Sequence, residues 1–227
     1  MSLNGALAIF ARTPELSPVK TRLTVSIGSV NAKKFYELSL IATQAVAKTL
    51  ENSMDNLKIY WAVAELTGLD AKRWESFPTV AQGVGDLGSR LNFVYQNLLK
   101  NHAYVCFIGS DSPHLTVEGL RDGVSLTVKN LKKKFVVGET LDGGFYFFGG
   151  SIPVPSRVWT DVEYSTDRTA RQLITRLSAF ADIEQIKKNF DIDTDEDLKR
   201  YINFSTNNGE FLQEQLDLIR WAQRKCK

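Results

Sequence analysis

Hydrophobic and polar positions along this chain switch repeatedly between two periods, and the switching predicts strands interleaved with helices. Residues 6–11 (ALAIFA) form an unbroken apolar run, as a strand covered on both faces requires. Residues 31–50 change to helical spacing, with Phe35, Leu38, Ala42 and Val46 recurring on one side. A second strand is predicted over 57–63 (LKIYWAV), then a helix over 86–100 with Leu87, Leu91, Val94 and Leu98 on one stripe. The run 103–108 (AYVCFI) reads as another buried strand, followed by a helix over 116–131 and strands at 135–139 and 145–148. Beyond Pro153 the order becomes mostly helical, with helices predicted at 166–177, 195–202 and 210–224. Strands alternating with helices argue for an α/β fold with a mainly parallel sheet and helices on both faces.

No internal repeat, low-complexity tract or long linker divides the 227 residues, so a single domain is expected over 1–227. The polar stretch 205–209 sets off only a C-terminal helix at about 209–225. Charge changes the picture more than size does. With 28 Lys and Arg against 26 Asp and Glu, the formal charge is +2, which leaves no broad electrostatic footprint for nucleic acid. A small anionic ligand held by a few placed cations fits better. Cys106, inside an apolar run, and Cys226 make no disulfide framework, and Cys106 reads as a core residue. The apolar run 6–11 is too short for a signal peptide and meets Arg12 directly, and no segment has membrane-span length. A cytoplasmic protein with no membrane partner is the expectation.

Open α/β sheets bind ligands beyond the carboxyl ends of their strands, so the loops there are the places to look. The loop 12–22 (RTPELSPVKTR) carries Arg12, Lys20 and Arg22 directly after the first strand. Guanidinium forks and a mobile ammonium suit phosphates, although a solvated basic loop has the same composition. It is not a P-loop, because the glycines of that motif are missing. The loop 109–113 (GSDSP) puts Ser110 and Asp111 at the end of the 103–108 strand, where a carboxylate can hold Mg²⁺ or Mn²⁺ against a diphosphate. The same residues suit a turn into the next helix. Asp142-Gly143-Gly144 has the form of a tight hairpin. In DIDTDEDL (191–198), Thr194 and Asp197 resemble a capping box, which leaves Asp191 and Asp193 free for a metal. Residues 83–88 (GVGDLG) spell a dinucleotide fingerprint that would place Asp111 on a ribose, but the run 79–82 before it is short and ends polar. His102 and His114 lack ligand spacing to any other His or Cys and read as surface polar residues, and the aromatic cluster 145–148 reads as core.

Taken in order, these loops resemble a family. AIFARTP…VKTRL, QGVGDLGSRL, IGSDSPHLT, VVGETLDGGFYFFGG and DIDTDEDL are similar to segments of the bacterial glycosyltransferase-like proteins of the nucleotide-diphospho-sugar transferase superfamily. That group includes the arsenosugar-biosynthesis glycosyltransferases, and molybdenum-cofactor and phospholactate guanylyltransferases are more distant. The resemblance spans residues 7–198 and implies a GT-A-type three-layer fold. It implies Arg12, Lys20 and Arg22 at the nucleotide phosphates with Ser110 beside them. Asp111 would be the metal carboxylate, and Asp193 or else Asp191 would approach the metal from the other side. Asp142, Gly143 and Gly144 would lie near the acceptor, with Asp86 and Arg90 as polar residues of the pocket wall. Three positions depart from the family: Arg12 replaces a usual Lys, Ser17 a usual Gly, and Glu139 a usual Pro.

The function these features imply is metal-dependent transfer from a nucleotide-activated donor to a small-molecule acceptor. The expected reaction is glycosyl transfer from a nucleotide sugar, with Mg²⁺ or Mn²⁺ as cofactor and Asp142 as the base. The alternative is nucleotidyl transfer of the guanylyltransferase kind, which releases pyrophosphate. A dinucleotide-binding module and a nucleotide-binding protein without catalysis stand beside these as other readings.

Overall fold

The computed structural model describes residues 3–207 and 210–225. Its centre is the first apolar run. β1 (Gly5–Ala11) is buried along its length and is flanked in parallel register by β2 (Leu57–Val63) and β4 (Tyr104–Gly109). Among the described residues seven strands form one sheet in the order β3-β2-β1-β4-β6-β5-β7. The others are β3 (Thr79–Ala81), β5 (Lys134–Thr140), β6 (Phe145–Gly150) and β7 (Asp182–Asn189). Only β6 runs antiparallel to its neighbours, so the sheet is mainly parallel, as its buried strands predict. One consequence positions the site. The carboxyl ends of the six parallel strands all open on the same edge of the sheet.

Helices cover both faces. On one side α2 (Ser29–Ser53) and α4 (Val117–Lys129) pack over Leu7, Ile9, Ile59 and Cys106. The register of α2 follows its apolar period, with Phe35, Ala42 and Val46 turned inward, and Gly28 breaks it from the short α1 (Thr24–Ile27). On the other side α3 (Leu87–Leu99), α5 (Arg157–Thr160) and α6 (Thr169–Leu177) enclose Leu91, Tyr95, Phe107 and Trp159. A third cluster joins Phe35 and Leu23 to α7 (Asp195–Asn207) and α8 (Gln213–Lys225) through Leu198, Tyr201 and Leu218.

Two strands escape the periodicity. β7 falls in the stretch read as mostly helical, because Ile183 and Ile186 are its only large apolar residues. Lying on the sheet's edge against β5, it needs few, and its identity comes from pairing. β3 is three residues at the opposite edge. Helix starts also shift: α6 begins at Thr169 and α8 at Gln213. Gly209 and Cys226, named in the sequence reading, lie outside the described residues.

Candidate active site

The basic loop 12–22 leaves β1 at Arg12 and is tied down by three side chains from other elements. The backbone N–H of Arg12 donates to the Tyr36 hydroxyl of α2 at 2.8 Å, and that of Thr13 donates to Glu65 Oε2 at 2.7 Å. Buried Gln82 donates its amide to the carbonyls of both Ala11 and Ala62, locking the carboxyl ends of β1 and β2 together. The loop then turns so that Lys20 takes φ +49, a conformation L side chains rarely adopt. That turn drives the Lys20 ammonium inward, to 2.6 Å from Asp111 Oδ1 and 2.9 Å from Asp193 Oδ1. Burial alone would lower the pKa of Lys20, but the two carboxylates outweigh it and hold it above the usual lysine value.

The acidic side is assembled from two loops. Asp111 follows β4, and its carbonyl accepts the N–H of Ile192, which fixes the 191–193 segment beside it. Thr194 and Asp197 form the expected reciprocal cap of α7, so Asp193 is left outside the helix. Asp191 accepts a hydrogen bond from Ser112, and burial followed by the Asp111 charge pushes its pKa upward. Ser110 is buried and donates to Tyr36, so one tyrosine braces both the 12–22 loop and the β4 loop. Among the described residues no three Asp, Glu, His or Cys converge as a metal-ligand cluster. Asp111 and Asp193 nevertheless direct one oxygen each at a common cation, the Lys20 ammonium. This pair of half-exposed hard-oxygen donors suits a divalent ion whose other ligands are phosphate and water.

Beside these groups opens a cavity of about 640 Å³, whose polar lining includes Arg22, Asp111, Asp142, Asp191 and Asp193, with Gly144 beside them. Phe10, Phe107, Phe145, Leu87, Leu91 and Tyr164 form its apolar wall. The Asp142 turn joins β5 to β6, and Asp142 accepts from the Thr140 hydroxyl and the Gly144 N–H. Gly143 has φ +91, and a Cβ there would fall 2.2 Å from the Asp167 carbonyl oxygen, so glycine is needed for the 163–169 loop to dock. That docking is sealed by the Ala170 N–H on the Gly143 carbonyl, and it brings Asp167 and Thr166 into the lining.

Other predicted residues are placed differently. Arg12 is exposed and outside the lining, contributing its backbone to the Tyr36 bond. Asp86 caps α3 by accepting the Ser89 N–H, and Arg90 donates to the Gly85 carbonyl. Both therefore shape the 83–88 loop, and neither lines the cavity, which is reached instead by Leu87. The glycine motif itself departs from a dinucleotide unit, whose two strands are neighbours, because β2 and β1 separate β3 from β4. Gly88 is explained by close helix packing, since a Cβ would meet the Trp159 carbonyl oxygen at 2.5 Å. Tyr36, Glu65, Gln82 and Asp167 were not legible as site residues, since only tertiary contacts give them their roles.

Comparison with known proteins agrees with this architecture. A family described as "Uncharacterized protein conserved in bacteria (DUF2064)" matches residues 42–166. No curated protein matches the chain in sequence. Among solved structures the chain is similar to a protein of Desulfovibrio desulfuricans G20 assigned to the nucleotide-diphospho-sugar transferases. The TM-score is 0.82 at 20% identity, over 98% of this chain and 96% of that one. It is also similar to a cytidylyltransferase from Leptospira borgpetersenii, with a TM-score of 0.56 at 14% identity over 98% and 95% of the two chains. A nucleotidyl transferase from Methanothermobacter gives a TM-score of 0.56 at 10% identity, over 90% and 99%. At such identities the likeness is one of fold. No described helix is long and apolar enough to cross a membrane.

Proposed function

The chain belongs to the DUF2064 family, and from that premise we propose that it is a metal-dependent transferase using a nucleotide-activated donor. Glycosyl transfer from a nucleotide-diphospho-sugar is the reading put forward. One observation carries it. Arg22, Asp111, Asp142 and Asp193 line one cavity large enough for a sugar and an acceptor, and Lys20 is ion-paired to two of them. The charges there are of two kinds, as a diphosphate and its counter-ion require.

Arg22 lines the cavity, and among the described residues no carboxylate pairs with it, so its guanidinium is available to phosphate oxygens. Asp111 and Asp193 would hold Mg²⁺ or Mn²⁺, which when bound supplies positive charge to the departing diphosphate. The acceptor hydroxyl would attack the sugar carbon as the carbon–oxygen bond to phosphate breaks, the electron pair leaving with the diphosphate. Asp142 lines the same cavity as the carboxylate that would receive the acceptor's proton, while the apolar lining would exclude water. Nucleotidyl transfer would use the same cations with the acceptor attacking phosphorus, and the second reading is kept because solved relatives in fold include nucleotidyltransferases.

Products separate the two reactions. Incubation with nucleotide sugars and nucleoside triphosphates, with Mn²⁺, is expected to release nucleoside diphosphate rather than pyrophosphate. Arg22→Ala should weaken a nucleoside diphosphate by roughly tenfold to a hundredfold and the matching nucleoside hardly at all, since a charge-assisted bond contributes about 1.5–3 kcal/mol. Equal affinity of wild type and variant for the diphosphate would remove this loop from the site.

A further inference from the structure

We infer that Lys20 and a divalent cation are alternative occupants of the position between Asp111 and Asp193, so that metal and diphosphate enter the site together and either one alone enters poorly. The inference rests on the transferase reading of this site and concerns the order in which its charges find partners.

Lys20 is an unusual place for a phosphate-binding cation to rest. Its side chain is 2% exposed, and its ammonium is shared between two carboxylates whose own side chains are 45% and 39% exposed. The loop accepts a positive φ at a non-glycine residue to put it there. The ammonium is therefore buried on the pair, while both carboxylate residues line the cavity and Lys20 does not. With the Lys20 charge in place, the pair keeps one net negative charge. Adding a divalent ion without moving the lysine would make ion and ammonium share the same two carboxylates, three positive charges on two negative ones before neighbouring Asp191 is counted, in a half-buried site where screening is weak. A diphosphate changes that balance. It offers the ammonium a second counter-ion, and the freed carboxylates then meet the metal with both cations still paired.

The side chain suits such a move. Lysine carries a compact charge on a flexible four-carbon stem, whereas an arginine fork would be locked bidentate onto a carboxylate. Arg22 requires no exchange, because it lines the cavity already. Reciprocity follows from thermodynamics, so that diphosphate should raise metal affinity by the same factor by which metal raises diphosphate affinity. A permanent structural ion pair predicts that the Lys20 ammonium stays on both carboxylates when metal and diphosphate bind.

The sign of one substitution tests the idea. Mn²⁺ alone is titrated into nucleotide-free protein and followed by the electron paramagnetic resonance of the free ion, for wild type, Lys20→Gln and Lys20→Met. The exchange predicts that both variants bind Mn²⁺ at least tenfold more tightly than wild type, and that adding Asp111→Asn to Lys20→Gln abolishes the gain. Equal or weaker Mn²⁺ binding in a folded variant overturns it. Wild type supplies the second measurement, which needs no variant to fold. Saturating nucleoside diphosphate should tighten protein-bound Mn²⁺ at least tenfold beyond what the nucleotide takes up in solution, and a factor of one overturns the exchange. Should no nucleotide bind at all, the transferase reading fails, and the Mn²⁺ titration without nucleotide still decides the competition with Lys20.

Discussion

Acid is expected to destabilise this protein through His114, by an amount that its surroundings set. Neither histidine is the surface residue that the sequence suggests: His102 is buried, and His114 is buried against Phe190 and Asn189, next to the segment that carries Asp191 and Asp193. Its ring stacks on Phe190 with centroids 4.1 Å apart, and its Nε2 meets Asn189 Oδ1. Its Nδ1 is buried without a partner, so a neutral ring with the proton on Nε2 fits the environment. Burial pushes the imidazole down to about 4 from its ordinary 6.5, against a smaller opposing pull from the Asn189 bond. The unfolded chain then binds the proton more readily than the folded one between those two values. Stability from this group is whole above pH 6.5, declines as pH falls toward 4, and changes no further below that.

At about 1.36 kcal/mol per unit of pKa separation, the complete loss is roughly 3 kcal/mol, and about 2 kcal/mol of it is reached by pH 5. Urea unfolding of wild type and His114→Phe at pH 7 and pH 5 measures it. Phenylalanine keeps a ring against Phe190 and gives up the Asn189 bond, a cost that applies equally at both pH values. Wild type should therefore lose about 2 kcal/mol more than the variant on acidification, while other titrating groups cancel in the comparison. Parallel losses, or a His114 titration near 6.5 by NMR in the folded protein, would refute the reasoning.

Asp111→Asn should leave a folded protein, because Asp193 still pairs with Lys20, and should abolish Mn²⁺-dependent nucleotide binding measured by calorimetry. Cys106→Ser should cost about 1–3 kcal/mol in urea unfolding without affecting ligands, since the site is fully buried and Thr127 is 3.7 Å away. A Cys106 thiol that labels rapidly and is protected by nucleotide would contradict this, because burial pushes its pKa up to about 12. Gly143→Ala should cost roughly 2–5 kcal/mol, combining a left-handed backbone with collision against Asp167, and a thermal melt unchanged from wild type would show that the 163–169 loop is not docked there.

The strands at the sheet's centre were legible because burial on both faces leaves a continuous apolar run, which β1 and β4 each spell out. β7 carries no such signal. Its exposed positions hold Asp182, Gln185, Lys187 and Lys188, and only the neighbouring β5 makes it a strand. Site residues divide in the same way. Asp111 and the cations of the 12–22 loop stand out as charges directly after buried strands, and the order of loops strengthens the pattern. Tyr36 follows Phe35 on a helical core stripe and looks like packing, while Gln82 looks like a polar end to a short strand. Their work is to hold carbonyls and loops from distant parts of the chain.

What sequence could least reveal is that two charged features neutralise one another. A basic loop suits phosphate and an acidic pair suits metal, and each reading is complete by itself. The fold brings Lys20 onto Asp193 across 173 residues of chain, so that part of the positive charge is committed before any ligand arrives. The diphosphate affinity that Lys20 can contribute is then only what remains after its carboxylates are given up. Arg22 bears no such cost, as among the described residues it has no ion-pair partner and it faces the cavity. Without metal, Arg22 should therefore dominate diphosphate binding. With metal present, Lys20 should matter as well, because the ion takes over the carboxylates that the ammonium leaves.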